Sequence, residues 1–176
     1  MTDKRKPAAA PEPPVPDAEL LSPMLRATVF VRDLEESLKL YRDILGLKPW
    51  LERVLDGDRT NRILGTEGKS VRVVILQSGD ATTGNVGLFT YDDDQPLPPS
   101  RADIRTGDVA FIFITNDIQG IYERVESAGY TIVSAPMGLF PEESAETQSL
   151  EMLFFDRDGI AVNLIQRNVP TTLATD

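Results

Sequence analysis

The alternation of apolar and polar residues from Leu25 to Arg32 predicts a β-strand. Successive side chains of a strand point to opposite faces, so one face of this segment carries alanine and two valines. The other face mixes a cation, a hydroxyl and an aromatic ring, and these residues are Arg26, Thr28 and Phe30. We therefore expect a strand with one buried face and one face open to chemistry.

Apolar residues next recur at helical spacing, which predicts an amphipathic helix. Asp33 precedes the pattern and Glu36 follows three residues later, as in a capping box, where two side chains bond to free backbone N–H groups. Gly46 is expected to end the helix, because glycine readily adopts the left-handed conformation of a C-terminal cap. The apolar stripe consists of Leu34, Leu38, Tyr41 and Leu45.

The remainder of the first half predicts two strands, "RTNRILG" (59–65) and "SVRVVILQS" (70–78). A polar stretch follows that contains "DDDQPLPPS", and its proline and aspartate content predicts a linker. This stretch is long for a simple connection, so a role beyond reversing the chain is expected.

The same order of elements then begins again. "DVAFIFIT" (108–115) predicts a strand, Thr115 or Asn116 is expected to cap a helix, and Gly129 is expected to end it. "YTIVSAP", "LEMLFF" and "IAVNLIQR" predict three further strands, the last preceded by the turn "DRDG". The helix stripe comprises Ile118, Ile121, Val125 and Ala128. The repeated order indicates two related modules.

The pattern therefore predicts an α+β fold with five segments. Residues 1–22 form a proline- and alanine-rich tail, expected to be disordered or to act as an arm that packs on a partner subunit. Residues 23–80 form the first module and 107–168 the second, joined by a linker at 81–106. Residues 169–176 form a second tail.

Composition narrows the possible functions. The 176 residues carry a net charge of −10, which disfavours nucleic acid and anionic membranes as partners. The chain has no cysteine and no histidine, which excludes disulfides, thiolate sites and histidine-based nucleophile systems. No apolar run reaches the ~18 residues of a membrane span, so we expect a cytoplasmic protein.

Three stretches resemble the vicinal oxygen chelate superfamily, which includes glyoxalases, extradiol dioxygenases and bleomycin-resistance-like proteins. They are "VFVRDLEESLKLYRDILGL" (29–47), "DVAFIFITNDIQGIYERVESAGY" (108–130) and "FFDRDGIAVNLIQ" (154–166). The resemblance covers residues 24 to 167. It implies two paired βαβββ modules that form a cupped mixed sheet with helices outside, and it implies a homodimer.

The resemblance also implies four metal-ligand positions, which fall on Arg26, Ile75, Asp108 and Asn163. Guanidinium and isoleucine side chains cannot donate a lone pair to a metal, so one carboxylate and one carboxamide remain. A catalytic zinc site has three protein ligands, and hard cations need more oxygens than these two residues offer. We therefore predict no metal at this position and no cofactor; Gln77, two residues after Ile75, is the one substitute ligand nearby.

Arg26 and Asp108 are the candidate catalytic residues. Arg26 would hold a carboxylate, enolate or carbonyl oxygen, and Asp108 would act as a general base in a lyase or isomerase. Alternatively, the two side chains form an ion pair that fills a dead site. The expected substrate-binding residues are Thr28, Phe30, Ile75, Gln77, Ala110, Ile112 and Asn163.

Three other functions stay open. The chain can bind a drug or aromatic molecule without turnover, as bleomycin-resistance proteins do, because such binding needs only an apolar cleft with a few polar groups. Trp50, Tyr91 and Phe140 would then stack on the ligand, or they anchor loops. A metal-dependent lyase or dioxygenase would use Asp108 and Asn163, and a ligand-free scaffold would use the linker and tail.

Overall fold

The computed structural model describes residues 21–93, 96, 101, 103–138 and 146–171. The chain forms two compact units, Met1–Pro96 and Leu97–Asp176, and the division falls inside the predicted linker. Each unit contains one four-stranded mixed sheet, and three α-helices accompany the two sheets. This architecture confirms the predicted α+β class and the two modules. Residues 1–20 of the predicted N-terminal tail lie outside the described residues.

The first unit has four strands in the order β1-β4-β3-β2. Strand β1 pairs parallel with β4, and the other neighbours pair antiparallel. Its elements in chain order are β1 Arg26–Phe30, α1 Leu34–Leu38, a π-helical segment Lys39–Ile44, β2 Lys48–Leu55, α2 Gly57–Leu64, β3 Val71–Gln77 and β4 Asn85–Tyr91.

The second unit repeats this strand order as β5-β8-β7-β6, again with a parallel first pair. Its elements are β5 Ala110–Ile114, α3 Ile118–Ser127, β6 Thr131–Gly138, β7 Thr147–Phe155 and β8 Ala161–Pro170. Strand β8 passes the predicted module end at residue 168, because Val169 is buried and continues the pairing with β7.

Helix α1 begins as the sequence predicts. The Asp33 carboxylate accepts hydrogen bonds from the backbone N–H groups of Glu35 at 2.9 Å and Glu36 at 3.1 Å. The Glu36 carboxylate bonds with the Lys39 ammonium group, which lies one turn further along the helix. The aspartate half of the capping box is therefore confirmed.

The end of this first helix is wider than the sequence predicts. Leu45 N–H donates to the Leu40 carbonyl at 2.9 Å, which is the i→i−5 bond of a π-helix. Leu40 and Tyr41 are adjacent in sequence, and both are fully buried in this wider turn. Gly46 follows with φ of +77°, which confirms it as the residue that ends the helix.

Helix α3 is capped by Asp117, so the prediction of Thr115 or Asn116 is wrong. The Asp117 carboxylate accepts from Gly120 N–H at 3.0 Å, while the Thr115 hydroxyl oxygen accepts from Asp117 N–H at 3.0 Å. Asp117 wins the position because its carboxylate reaches the free N–H three residues along. The helix ends at the predicted place, before Gly129 with φ of +72°.

The predicted strand at 59–65 is instead helix α2. Asn61 fixes this segment, because its amide nitrogen donates to the carbonyls of Gly57 at 3.0 Å and Lys69 at 3.2 Å. Its amide oxygen accepts from the Thr66 hydroxyl at 2.8 Å. Gly65, with φ of +66°, then ends the helix. The first module has the four strands of the predicted βαβββ order, and β2 is a strand whose position the pattern did not locate.

The predicted linker at 81–106 contains a strand of the first sheet. Strand β4 lies between β1 and β3 and pairs with both, so it is a central strand and the first module extends beyond residue 80. Its sequence "NVGLFTY" is rich in β-branched and aromatic residues, and the proline- and aspartate-rich segment after it obscured this pattern.

The buried side of the second unit follows its predicted helix stripe. Ile118, Ile121 and Val125 are buried, whereas Ala128 is exposed at the end of α3. Phe154 in β7 is fully buried and its ring contacts the ring of Tyr130. In the described part of the chain, no helix combines the length and apolar character that a bilayer span requires.

We expect Asp33→Ala to lower the free energy of unfolding by about 1 kcal/mol, because two backbone N–H groups lose their acceptor. Asp56 provides a matched control, since it occupies the N-cap of α2 without a side-chain capping bond. Asp56→Ala should change stability by a few tenths of a kcal/mol at most. Urea unfolding of both variants tests the difference, and equal losses would contradict the capping assignment.

Candidate functional site

Strand β1 has one buried face and one exposed face, as its alternation predicts. Val29 is 9% exposed, whereas Phe30 is 45% exposed. Arg26 and Thr28 share the exposed side with Phe30. We call the side of the first sheet that carries these three residues the Arg26 face.

Strand β4 continues the Arg26 face. Arg26 pairs with Asn85 and Thr28 pairs with Gly87 in the parallel register. A Cβ atom added at Gly87 would lie 3.2 Å from the Thr28 hydroxyl oxygen and 3.5 Å from Arg26 Cδ. Gly87 has no side chain, so the side chains of Arg26 and Thr28 can lie over the β4 backbone at this position.

Arg26 is a cation with no acidic partner among residues 21–93. Its Nε atom donates to the Thr28 hydroxyl oxygen at 3.3 Å, and its Cζ atom lies 5.9 Å from the centre of the Phe89 ring. Within residues 21–93, no carboxylate oxygen lies within 4.0 Å of the Arg26 guanidinium nitrogens. Because guanidinium stays protonated in proteins, the Arg26 face has a permanent positive charge.

Aromatic rings lie beside this cation. The Phe30 ring packs edge-on against Phe89 with 5.6 Å between centres, and it stacks on Tyr91 with 5.3 Å between centres. The Lys69 ammonium nitrogen lies 4.9 Å from the centre of the Tyr91 ring. The exposed Phe30 ring therefore places apolar surface next to positive charge.

Trp50 and Tyr91, two of the three predicted stacking residues, belong to strands rather than loops. Both pack against a buried apolar cluster, which favours their interpretation as anchors. Phe140 lies outside the described residues. The cluster consists of Val71, Val73, Ile75 and Phe89.

Two predicted binding residues lie on β3. Ile75 is 2% exposed and belongs to this buried cluster, so its side chain serves the core. Gln77 is half-buried, and its amide nitrogen donates to the carbonyl of Ala81. Neither side chain presents a free polar group comparable to Arg26.

Three predicted binding residues lie on the second sheet. Ala110 and Ile112 are exposed on β5, and Ile112 pairs with Asn163 of β8. The Asn163 amide nitrogen donates to the Met152 carbonyl at 3.0 Å and to a Glu151 carboxylate oxygen at 3.4 Å. Asn163 is therefore held by its own sheet, next to the exposed apolar surface of β5.

Asp108 is tightly held by Arg101. The two Arg101 terminal nitrogens donate to the two Asp108 oxygens at 2.5 Å and 2.9 Å, and Arg105 N–H donates at 2.7 Å. Both side chains of the pair are 19% exposed. These bonds, the Arg101 pair first, hold the pKa of Asp108 below its usual range. Asp108 is thus a weak proton acceptor.

Arg101 was missed because it falls in the predicted linker. A signal was present in the sequence, since cations and carboxylates alternate in the short stretch before β5. In the structure, Arg101 pairs with Asp108, and Arg105 pairs with Asp103 at 3.1 Å. The residues of this alternating set are Arg101, Asp103, Arg105 and Asp108.

The register of the two sheets shows which positions correspond between the modules. Arg26 begins β1 and Ala110 begins β5, so these two residues correspond, and Asp108 precedes the strand. Thr28 pairs with Gly87 as Ile112 pairs with Asn163. The counterpart of Asn163 is therefore Gly87. From the sequence, this position was placed on Ile75 of β3 because β4 was not recognised as a strand.

The side chains at these positions offer few metal donors. Arginine, isoleucine and glycine side chains supply none. Among the residues that the structure describes, no group of three or more histidine, cysteine, aspartate or glutamate side chains is arranged to hold a metal ion. Of the side chains at these positions, only those of Asp108 and Asn163 contain oxygen donors.

A polar cavity of about 560 Å³ lies elsewhere in the first unit, between the start of α2 and the following loop. Charges of both signs line this cavity, namely those of Asp56, Asp58, Glu67, Arg62 and Lys69. Lys69 is already paired with Asp93 at 2.6 Å. The cavity lacks a single dominant charge that would select a ligand.

Comparison with known proteins identifies the fold. The sequence profile of the Glyoxalase/Bleomycin resistance protein/Dioxygenase superfamily matches residues 24–164. No curated protein matches the sequence significantly.

Solved structures with the same fold include a glyoxalase family protein from Bacillus cereus, with a TM-score of 0.69 and 15% identity over 87% of this chain and 99% of that one. A V278E mutant of glyoxalase I from Zea mays has a TM-score of 0.58 and 23% identity over 82% of this chain and 44% of its own. A superfamily member from Sphaerobacter thermophilus has a TM-score of 0.53 and 21% identity over 85% of this chain and 100% of that one. At these identities the likeness extends to the fold alone.

We expect Arg101→Gln to raise the pKa of Asp108 toward the ordinary value of about 3.9, because the paired guanidinium is lost. NMR titration of the Asp108 carboxyl carbon measures this change. Arg59→Gln, an exposed substitution on α2, removes one positive charge as the control and should leave the midpoint in place.

The sign of the pH effect follows from the depressed pKa. The stability that the pair contributes is present above the unfolded pKa and is lost as the pH falls through the folded pKa. The destabilisation caused by Asp108→Asn should therefore shrink as the pH is lowered from about 5. A midpoint that is equal in wild type and Arg101→Gln would contradict the assignment.

Proposed function

The chain belongs to the Glyoxalase/Bleomycin resistance protein/Dioxygenase superfamily, and from that premise we propose that it binds a small carboxylate- or carbonyl-bearing organic molecule on the Arg26 face. The observation that carries this proposal is the exposed Arg26 guanidinium, which lacks an acidic partner within residues 21–93. The half-exposed Phe30 ring lies on the same face and supplies apolar contact area.

The chemistry of the two groups suits such a ligand. A guanidinium can donate two parallel hydrogen bonds to one carboxylate, which gives both strength and orientation. An aromatic ring beside it offers rigid contact area to the apolar part of the same molecule. Small-molecule sites commonly combine apolar surface with a few polar groups in this way.

Binding at this face does not require a metal. Arg26 occupies a position where the superfamily implies a metal ligand, and its side chain repels a cation instead of coordinating one. Arg26 pairs with Asn85, whose side chain is a neutral amide, and the counterpart of Asn163 two residues further along β4 is Gly87, which has no side chain. In the proposed function, Arg26 alone neutralises the negative charge of the ligand carboxylate.

Binding without turnover is favoured over catalysis. A lyase or isomerase using Arg26 and Asp108 would need Asp108 to remove a proton, but the Arg101 pair lowers the pKa of that carboxyl. A base with a lowered pKa has a weak driving force for proton transfer near neutral pH. Recovery of the ligand unchanged after long incubation with the protein would distinguish binding from catalysis.

We expect Arg26→Gln to weaken binding of 3-phenylpropionate, used as a simple aromatic carboxylate, by about tenfold or more. A charge-assisted hydrogen bond contributes roughly 1.5–3 kcal/mol, and each 1.4 kcal/mol is about tenfold in affinity. Isothermal titration calorimetry of the full chain measures the change. Arg59→Gln has the same change in net charge and should bind as the wild type does. Equal affinity in wild type and Arg26→Gln would overturn the proposal.

We also propose a homodimer, supported by large apolar side chains that the second unit exposes. Val109 is 66% exposed, Ile112 63% and Ile114 61%, which is unusual for neighbouring residues of a monomer. Light scattering after size-exclusion chromatography should give about twice the 19.4 kDa chain mass. A mass equal to one chain at micromolar concentration would contradict this assembly.

A further inference from the structure

Asn85 is a buried polar residue whose side-chain oxygen has no hydrogen-bond partner among the residues that the structure describes. It begins β4, is 7% exposed, and its backbone N–H donates to the Leu25 carbonyl at 3.2 Å. Its side-chain oxygen Oδ1 is a buried acceptor without a hydrogen bond among the described residues. Buried polar groups are nearly always bonded, because an unpaired one loses its hydration without compensation.

The other buried asparagine of this unit provides the contrast. Asn61 is 9% exposed, and its oxygen accepts from the Thr66 hydroxyl at 2.8 Å and from Lys69 N–H at 3.1 Å. Its nitrogen donates to two backbone carbonyls. Asn61 thus has the complete set of bonds of a structural asparagine, and Asn85 does not.

Asn85 lies on the Arg26 face. It pairs directly with Arg26 across the parallel strands, whose backbones are about 4.8 Å apart. Asn85 and Gly87 are two residues apart on one strand, so they share a face, and the space over Gly87 borders Thr28 Oγ1 and Arg26 Cδ. The Asn85 acceptor, which has no hydrogen bond among the described residues, therefore lies beside the Arg26 guanidinium, which has no acidic partner within residues 21–93.

The two groups have complementary needs. Arg26 offers only donors and Asn85 Oδ1 offers only an acceptor, so one ligand can satisfy both if it carries an oxyanion and a nearby donor. A hydroxyl is the smallest such donor, and it suits a buried acceptor on a residue that is only 7% exposed. A ligand without a donor would leave Asn85 unpaired.

We propose that Asn85 is a specificity-determining residue that selects hydroxy-substituted carboxylates, by accepting a hydrogen bond from the ligand hydroxyl while Arg26 binds the carboxylate. This inference rests on the proposed function, because it needs the ligand carboxylate at Arg26. It adds the class of ligand, hydroxy acids as opposed to plain carboxylates, and a second residue that recognises it.

The test compares two probes that differ only by one hydroxyl, 3-phenyllactate and 3-phenylpropionate. Isothermal titration calorimetry of the full wild-type chain should show 3-phenyllactate, as its better enantiomer, binding about fivefold to tenfold more tightly, which corresponds to one net hydrogen bond. In Asn85→Leu, which keeps the side-chain shape and removes the acceptor, this ratio should fall to about one. Asn116→Leu, at an exposed position of the second unit, is the matched control and should keep the wild-type ratio.

The outcomes separate this inference from the proposed function. Equal binding of the two probes by wild type, with both lost in Arg26→Gln, would overturn the role of Asn85 and leave the Arg26 site standing. Failure of both probes to bind, or binding that is independent of Arg26, would overturn the two together. If Asn85→Leu does not fold, Asn85→Ala replaces it, and the wild-type ratio alone already decides whether a hydroxyl is recognised.

Discussion

The parallel pairing of β1 with β4 is the constraint on which the candidate site depends. Among the strands that the structure describes, β1 lies at the edge of the first sheet and β4 is its one neighbour. The register sets Arg26 beside Asn85 and Thr28 beside Gly87. A shift by one residue would move every side chain of β1 to the opposite face and bury the guanidinium. The position of one charge therefore follows from the backbone hydrogen bonds of two strands.

The two arginines that matter have opposite surroundings. Arg101 is closed on Asp108 by two hydrogen bonds, and the pair is mostly buried. Arg26 is exposed, bonds only the neutral hydroxyl of Thr28 among residues 21–93, and lies near an aromatic ring. A paired guanidinium has little left to offer a ligand, whereas an unpaired one keeps most of its donors. This difference, rather than the number of charges, makes the first unit the better candidate for binding.

The sequence predicted those elements whose signals are local. The strand of Arg26, the cap at Asp33 and the stop at Gly46 depend on neighbouring residues, and all three are present. Strand β4 could not be recognised as easily, because its central place depends on pairing with β1 and β3 across long stretches of chain. Because β4 was not predicted, one ligand position was placed on Ile75 of β3 and Asn85 of β4 was not considered as a site residue.

Helix α2 was mistaken for a strand for a similar reason, since its stability depends on bonds from Asn61 to a later loop. The pairing of Arg101 with Asp108 likewise joins a supposed linker to the start of a strand. Residue types and spacing identify candidate charges, but the partner that neutralises each charge is set by tertiary structure. That Arg26 has no acidic partner within residues 21–93 is therefore evident only from the fold.

The proposed function depends on binding of a ligand carboxylate by the Arg26 guanidinium. The most direct measurement follows the arginine Nε–H resonances in nitrogen-15 NMR spectra while 3-phenyllactate is added, with the Arg26 signal identified by its absence in Arg26→Gln. We expect a saturable shift of the Arg26 resonance, while the Arg101 resonance stays in place because that side chain is already bonded to Asp108. A stationary Arg26 resonance at saturating ligand would show that this guanidinium does not bind the carboxylate.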